Sequence, residues 1–274
     1  MQFGNKFIDL SKPQVMGILN VTPDSFSDGG KHADVNQALE HALQMVDEGA
    51  SFIDIGGEST RPGAPEVSLQ EELDRTIPVI EAVAKNASCV ISIDTSKAEV
   101  MREAVSVGAG LINDVRALQA PGALEAASEA GVPVCLMHMQ GQPRTMQNNP
   151  SYDDVVEDVA QFLLERAKAC KASGIAQEKI LFDPGYGFGK SLEHNYALVK
   201  HLPKLMNLGY PVLVGMSRKS MIGNLLNRKV DERLAGSISL ATIVAQMGAQ
   251  IIRVHDVKET ADAVNIVKML NTIK

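Results

Sequence analysis

The sequence has few cysteines, no long apolar run and too little positive charge to coat a surface. Its three cysteines, Cys89, Cys135 and Cys170, lie far apart and share no metal-ligand spacing. That excludes a disulfide framework and suits small buried apolar residues in a reducing compartment. No stretch reaches the roughly 18 uninterrupted apolar residues of a membrane span. The opening MQFGNKFIDLSKPQ lacks the apolar core and small-residue cleavage site of a secretory signal, so a cytoplasmic protein with no membrane partner is expected. Acidic side chains number 33 against 26 basic ones, a net charge of -7. A broad nucleic-acid surface needs clustered positive charge and is not expected, so an anionic ligand must be held by a local cationic site. Neither His-x-His nor HExxH occurs, which argues against a tightly held zinc; Mg2+ brought by substrate phosphates is the metal to expect.

What remains is an ordinary globular composition, 45% apolar and 22% charged, which sets aside disordered, collagen-like and coiled-coil readings. The 274 residues correspond to one or two domains at roughly 150 residues each, or to one barrel of about 250. Eight short apolar runs recur, starting at Val15, Ser51, Val90, Leu111, Val132, Ile180, Pro211 and Ile251, each followed by a segment of helical period. Runs apolar on both faces suit parallel strands covered by helices. Ser68 with Glu71 and Ser96 with Glu99 have capping-box spacing. Gly49, Gly108, Gly131, Gly174, Gly209 and Gly248 each sit just before a strand, where a left-handed residue closes a helix. Three of these junctions read Gly-Ala and look like one unit repeated. A (β/α)8 TIM barrel spanning 1-274 as a single domain is therefore expected, with a doubly wound open sheet as the alternative, because periodicity does not say whether a parallel sheet closes. Phe7 to Leu10 is expected to form a small strand or plug beneath the barrel.

Each run turns polar near its end: Asn20, Asp54, Asp94, Asn113 with Asp114, His138, Asp183, Ser217, then Arg253 and His255. Any one of these could equally cap a helix or tie down a loop. Their recurrence at nearly every strand points to a shared site, since strand ends converge on one mouth of a barrel. The loops NVTPDSFSDGGKHAD and GGESTRPGAPEVS are rich in Gly, Pro, Ser and Asp and are expected to cover a substrate. GMSRKSMIG sets Ser217, Arg218, Lys219 and Ser220 at a helix entry, a position that favours an anion or a polar heterocycle. Arg253 and His255, two apart, can grip a phosphate with Asn20 nearby if they face the mouth. His138, alone, reads as structural. Asp94, Asn113 and Asp183 suit a ring with amidine-like N–H edges, of which pterins and guanines are examples.

The motifs NVTPDSFSDGG, DIGGESTRPGA, SIDTSKAEV, LINDV, LMHMQGQPRTMQ, DPGYGFGKS, GMSRKSMIG and RVHDV resemble those of the dihydropteroate synthase family of bacterial folate biosynthesis, pterin-binding TIM barrels that are sulfonamide targets. The resemblance covers essentially the whole chain. It implies that p-aminobenzoate displaces diphosphate from (7,8-dihydropterin-6-yl)methyl diphosphate to give 7,8-dihydropteroate. It further implies that Asp94, Asn113 and Asp183 hold the pterin edges, with Met137 and Phe188 packed beside the ring and Lys219 hydrogen-bonded to it. Asn20, Arg253 and His255 would hold the diphosphate, Asn20 also through Mg2+. Thr60, Arg61 and Pro62, with Phe188 and Ser220, would shape the p-aminobenzoate site, and the family suggests a homodimer. Asp94, Lys219, Arg253 and His255 are the residues expected to act in catalysis. Two rivals share the scaffold: a pterin-binding methyltransferase domain, and a pterin-binding protein without catalysis.

Overall fold

A computed structural model of the chain describes residues 1–21, 31–59, 66–141 and 150–273. Eight parallel strands alternate with helices: β3 (Gln14–Asn20), α1 (Lys31–Asp47), β4 (Phe52–Gly56), α2 (Leu69–Asn86), β5 (Val90–Asp94), α3 (Ala98–Ser106), β6 (Leu111–Asp114), α4 (Ala123–Ala130), β7 (Val134–Met137), α5 (Val155–Ala172) and β8 (Ile180–Asp183). There follow α6 (Leu192–Lys200), α7 (Leu202–Met206), β9 (Leu213–Val214), α8 (Ser220–Leu226), α9 (Leu234–Met247), β10 (Ile251–Val254) and α10 (Val257–Leu270). Each strand pairs with the next in sequence from β3 to β8, while β10 lies between β9 and β3. A parallel bridge from Phe182 to Val212 joins the two remaining edges. The sheet therefore closes, and the (β/α)8 TIM barrel is chosen over the open sheet.

The helix closures at Gly49, Gly108 and Gly248 share one hydrogen-bond pattern. Ala50 N–H donates to Met45, Ala109 to Ala104 and Ala249 to Val244, each at 2.9 Å. Each preceding glycine has positive φ and donates three residues back, the 6→1 and 5→2 bonds of a left-handed helix cap. Gly131, Gly174 and Gly209 also have positive φ. At the other helix ends, Ser68 and Glu71 form the expected capping box. Ser96 and Glu99 do not: α3 starts after Lys97 without a side-chain cap, and Ser96 Oγ instead donates to Asp114 Oδ1. A buried carboxylate from the neighbouring strand is a stronger acceptor than the local alternative.

Side chains alternate across each strand. Outward residues such as Ile53, Ile91, Ile112 and Val134 join the large core beneath the helices. Inward residues Met16, Phe52, Val90, Leu111, Cys135, Leu181, Leu213 and Ile251 form a separate cluster that fills the lower barrel. Phe3 caps that cluster and packs edge-on against Phe52 at 4.9 Å between ring centroids. The plug is thus the hairpin of β1 (Gln2–Phe3) and β2 (Lys6–Phe7). The expected plug at Phe7 to Leu10 is corrected accordingly: Phe7 is 70% exposed, Phe3 is the buried anchor at 1%, and Ile8 and Leu10 pack only at the margin. Among the described residues no helix is long and apolar enough to cross a membrane.

Candidate active site

One step above the apolar floor, the inward positions change character. Register sets Asp54 beside Ser92, and Asp94 beside Asn113. Met137 lies beside Asp183. Arg253 rises from β10 into this layer. Its Nε donates to Asp54 Oδ2 at 2.5 Å and its Nη2 to Asp94 Oδ2 at 2.9 Å. Asp54 Oδ2 also accepts from Asn113 Nδ2 at 3.1 Å, which orients the amide. Asp54 is fully buried, and among the described residues its Oδ1 has no partner; nor has the buried hydroxyl of Ser92. Burial and then Asp54 push the Asp94 carboxyl up to about 7, against the pull of Arg253. Burial works against the Arg253 charge, but the two aspartates hold it above the ordinary arginine range, so it stays cationic.

The second half of the site is built on the loops after β8 and β9. Burial raises the Asp183 carboxyl, and Lys219 and the Gly185 N–H oppose that rise; the Gly185 bond to Asp183 Oδ1 is 2.7 Å. Lys219 Nζ donates to the Tyr186 carbonyl at 2.6 Å and stands 4.6 Å from the Phe188 ring centroid. Burial pulls its ammonium down to about 8, while Asp183 holds it up. Phe188 packs with Met137, Val115 and Met139 as a small apolar wall. Among the described residues, three carboxylates, two cations, one amide and one aromatic wall therefore share the mouth. A flat ring with N–H edges finds acceptors at Asp94 and Asp183, and an anion finds Arg253 and Lys219.

Of the residues expected from sequence, Asp94, Asn113, Met137, Asp183, Phe188, Lys219 and Arg253 come together. His255 lies just past β10, its backbone N–H and Nδ1 each 3.1 Å from Ser217 Oγ. Ser220 is exposed at the first turn of the seven-residue α8, and Asn20 is exposed at the end of β3. Thr60, Arg61 and Pro62 lie outside the described residues, as does most of the loop after β3. The root of the loop after β4 is described: Arg75 Nη1 donates to the Gly57 carbonyl at 2.9 Å, and Lys97 pairs with Glu58 at 2.5 Å and with buried Glu72.

Asp114, noted beside Asn113 as a strand-end polar group, points away from the mouth. It accepts the Arg116 and Leu118 N–H groups at 2.8 and 2.7 Å and so ties down its own loop. Two residues contribute more than their sequence context signalled. Asp54, flagged only as polar, is the hub of the Arg253 and Asn113 contacts. Lys190, which sequence reading passed over, is 3% exposed and sits against His138 and the loop after β8. A lysine directly after GYGFG is the signal that could have found it, since three glycines bare carbonyls for a cation. Burial and Lys190 take the His138 imidazole down to about 3, so it is neutral and structural, as expected.

Charged acceptors above an apolar barrel floor, facing two cations, suit a small-molecule site for a nitrogen-rich ring carrying an anionic group. Comparison with known proteins makes this specific. Residues 16–255 match the pterin binding enzyme family. The chain is 59% identical over 261 residues to the dihydropteroate synthase of Escherichia coli strain K12, covering 95% of this chain and 93% of that one. It is similar to the Yersinia pestis dihydropteroate synthase solved with a sulfonamide drug, at 58% identity and a TM-score of 0.95, covering 100% and 99% of the two chains. It is also similar to the Xanthomonas albilineans dihydropteroate synthase solved with 4-aminobenzoic acid, at 51% identity and a TM-score of 0.92, covering 97% and 96%. The chain belongs to the dihydropteroate synthase family of pterin binding enzymes.

Proposed function

We propose that the mouth of this barrel carries out dihydropteroate synthesis, a transferase step of folate biosynthesis. The amine of p-aminobenzoate displaces diphosphate from (7,8-dihydropterin-6-yl)methyl diphosphate. The observation that carries the assignment of residues is Arg253 clasped by Asp54 and Asp94. A guanidinium presents the same N–C–N donor edge as a pterin, so in the free chain Arg253 makes a hydrogen bond that a ring can take over. Once the ring binds Asp94, Asn113 and Asp183, Arg253 is released toward the diphosphate, with His255 beside it on the rim. Met137 and Phe188 flank the ring, and Lys219 donates to it from the loop after β9. Thr60, Arg61 and Pro62, with Phe188 and Ser220, complete the p-aminobenzoate site. The Xanthomonas relative solved with 4-aminobenzoic acid supports this choice of second substrate.

The chemistry asks little of an acid or base. The C–O bond between the methylene and the diphosphate breaks, both electrons leave with oxygen, and the electron-rich dihydropterin delocalises the cation. Arg253 and His255 neutralise the charge growing on the leaving group, and Asp94 stabilises the cation through the ring. The arylamine is already neutral, so its lone pair attacks directly and the surplus proton leaves afterwards. Exclusion of water from the mouth protects the cation until the amine arrives.

Among the described residues no cluster of His, Cys, Asp or Glu could cage a metal. Asn20 offers a single amide oxygen, a donor set that fits Mg2+ arriving on the diphosphate and keeping most of its water. When bound, that ion adds charge neutralisation at the leaving group. We read the chain as one cytoplasmic domain that works as a homodimer. Nine of the twelve large apolar side chains exposed among the described residues fall between Leu225 and Ile273, on and around α8 to α10, which supports a second copy covering that face. Calorimetric titration tests the site: Asp183→Ala should abolish measurable pterin binding, and unchanged affinity would remove Asp183 from the pocket.

A further inference from the structure

Three glycines with φ of +69°, +80° and +61°, at 185, 187 and 189, curl the loop between β8 and α6. The next residue, Lys190, turns its side chain back into that curl. Its Nζ is 2.9 Å from the Gly185 carbonyl, 3.0 Å from the Phe188 carbonyl and 2.9 Å from His138 Nδ1, with the His138 carbonyl at 3.4 Å. An ammonium has three N–H bonds, and here carbonyls and a neutral imidazole take all of them. Among the described residues no carboxylate forms a direct ion pair with Nζ; Asp183 acts on it only at longer range, so the buried charge is held mainly by a ring of dipoles. Hydrogen bonds from every N–H offset the cost of burying the charge, and a fully satisfied network of this kind is rigid.

The same short loop touches three groups assigned to the pterin. Gly185 N–H donates to Asp183, the Tyr186 carbonyl accepts from Lys219, and the Phe188 ring lies under the Lys219 ammonium. The two carbonyls that Lys190 gathers, at 185 and 188, bracket these contacts. We infer that Lys190 is a positioning residue: its ammonium fixes the loop after β8 and thereby sets Asp183, Lys219 and Phe188 in the geometry that reads the ring. His138 is its partner across the loop, accepting through Nδ1 and carrying its own proton on Nε2. Burial pulls the Lys190 ammonium down to about 7, and the Asp183 carboxylate opposes that fall.

This inference rests on the reading of the mouth as a pterin site, and one set of titrations separates the two. Wild type and Lys190→Met are titrated by calorimetry with the pterin alcohol lacking diphosphate, and the KM for p-aminobenzoate is measured for both. Lys190→Met is expected to bind the pterin at least about tenfold more weakly, the range for losing hydrogen bonds to a charged group, and to raise the KM for p-aminobenzoate through Phe188. A lysine that merely fills the core would lower the melting temperature and leave the affinity of the folded protein unchanged; that result overturns the inference. Failure of wild type to bind pterin would instead overturn the site itself. Should Lys190→Met not fold, His138→Asn, which keeps an acceptor near the Nδ1 position, is compared with His138→Leu, which removes it. Pterin affinity should survive in the first and fall in the second, and an equal effect of the two overturns the inference.

Discussion

Asp54→Asn is the perturbation that reaches furthest into the site. The amide keeps the size of the carboxylate but removes the charge that holds Arg253 Nε at 2.5 Å and orients Asn113 at 3.1 Å. Breaking one side of a buried ion pair costs about 3–5 kcal/mol. Arg253 keeps its 2.9 Å bond to Asp94, so the lower end, about 3 kcal/mol, applies. At about 2–4 °C per kcal/mol for a chain of this size, the melting midpoint should fall by roughly 6–12 °C. A second consequence follows from charge. Asp94 is raised to about 7 by burial first and Asp54 next, so removing Asp54 should bring its carboxyl down. In the native state Asp94 keeps a proton between its unfolded value of 3.8 and about 7. Its contribution to stability therefore falls as pH rises through that window, and the variant should flatten this slope. Thermal unfolding from pH 4 to 8 and carbon NMR of labelled aspartate carboxyls measure both effects. An unchanged midpoint with an Asp94 resonance still titrating near 7 would refute the view that Asp54 is the hub.

Arg253→Gln should bind a pterin lacking diphosphate at least as tightly as wild type, because the competitor for Asp94 is gone, while binding the pterin diphosphate more weakly; calorimetry with both ligands checks the opposite signs. Gly185→Ala would drive a Cβ to within 1.8 Å of the His138 carbonyl oxygen at a φ of +69°, whereas Gly131→Ala meets nothing within 4 Å at a φ of +66°. Both incur about 1–2 kcal/mol of left-handed strain, yet only the first should lose pterin affinity, and equal affinities would contradict the role of the loop. Lys219→Met should abolish pterin binding while raising the melting temperature of the free protein at pH 7. The burial penalty on Lys219 is complete below its folded value of about 8 and fades as pH rises toward 10.5, so the gain should shrink across that range in a melting series.

The strands and their closures were legible because they rest on local chemistry: apolar runs on both faces, then a glycine free to turn left-handed before the next run. Direction was less legible. LINDV gives no sign that Asn113 faces the ring layer while Asp114 faces its own loop, since neither face of that strand is solvated. Ser96 departs from its local signal for a related reason. Its capping spacing is local, but the acceptor that wins is Asp114, 18 residues away. Sequence alone places the plug at Phe7 to Leu10 rather than at Phe3 because Phe3 and Phe7 flank a turn, and only the hairpin decides which one points upward. Asp54 and Lys190 act through other side chains, so their weight depends on partners brought from distant strands.

In the proposed reaction this mouth joins p-aminobenzoate to a pterin methylene with loss of diphosphate. The decisive assay is diphosphate release from (7,8-dihydropterin-6-yl)methyl diphosphate, measured with purified protein and Mg2+ in the presence and absence of p-aminobenzoate. Release that depends on p-aminobenzoate and matches dihydropteroate formed one for one is the expected result. Binding without turnover, or methyl transfer from methyltetrahydrofolate in its place, would contradict it.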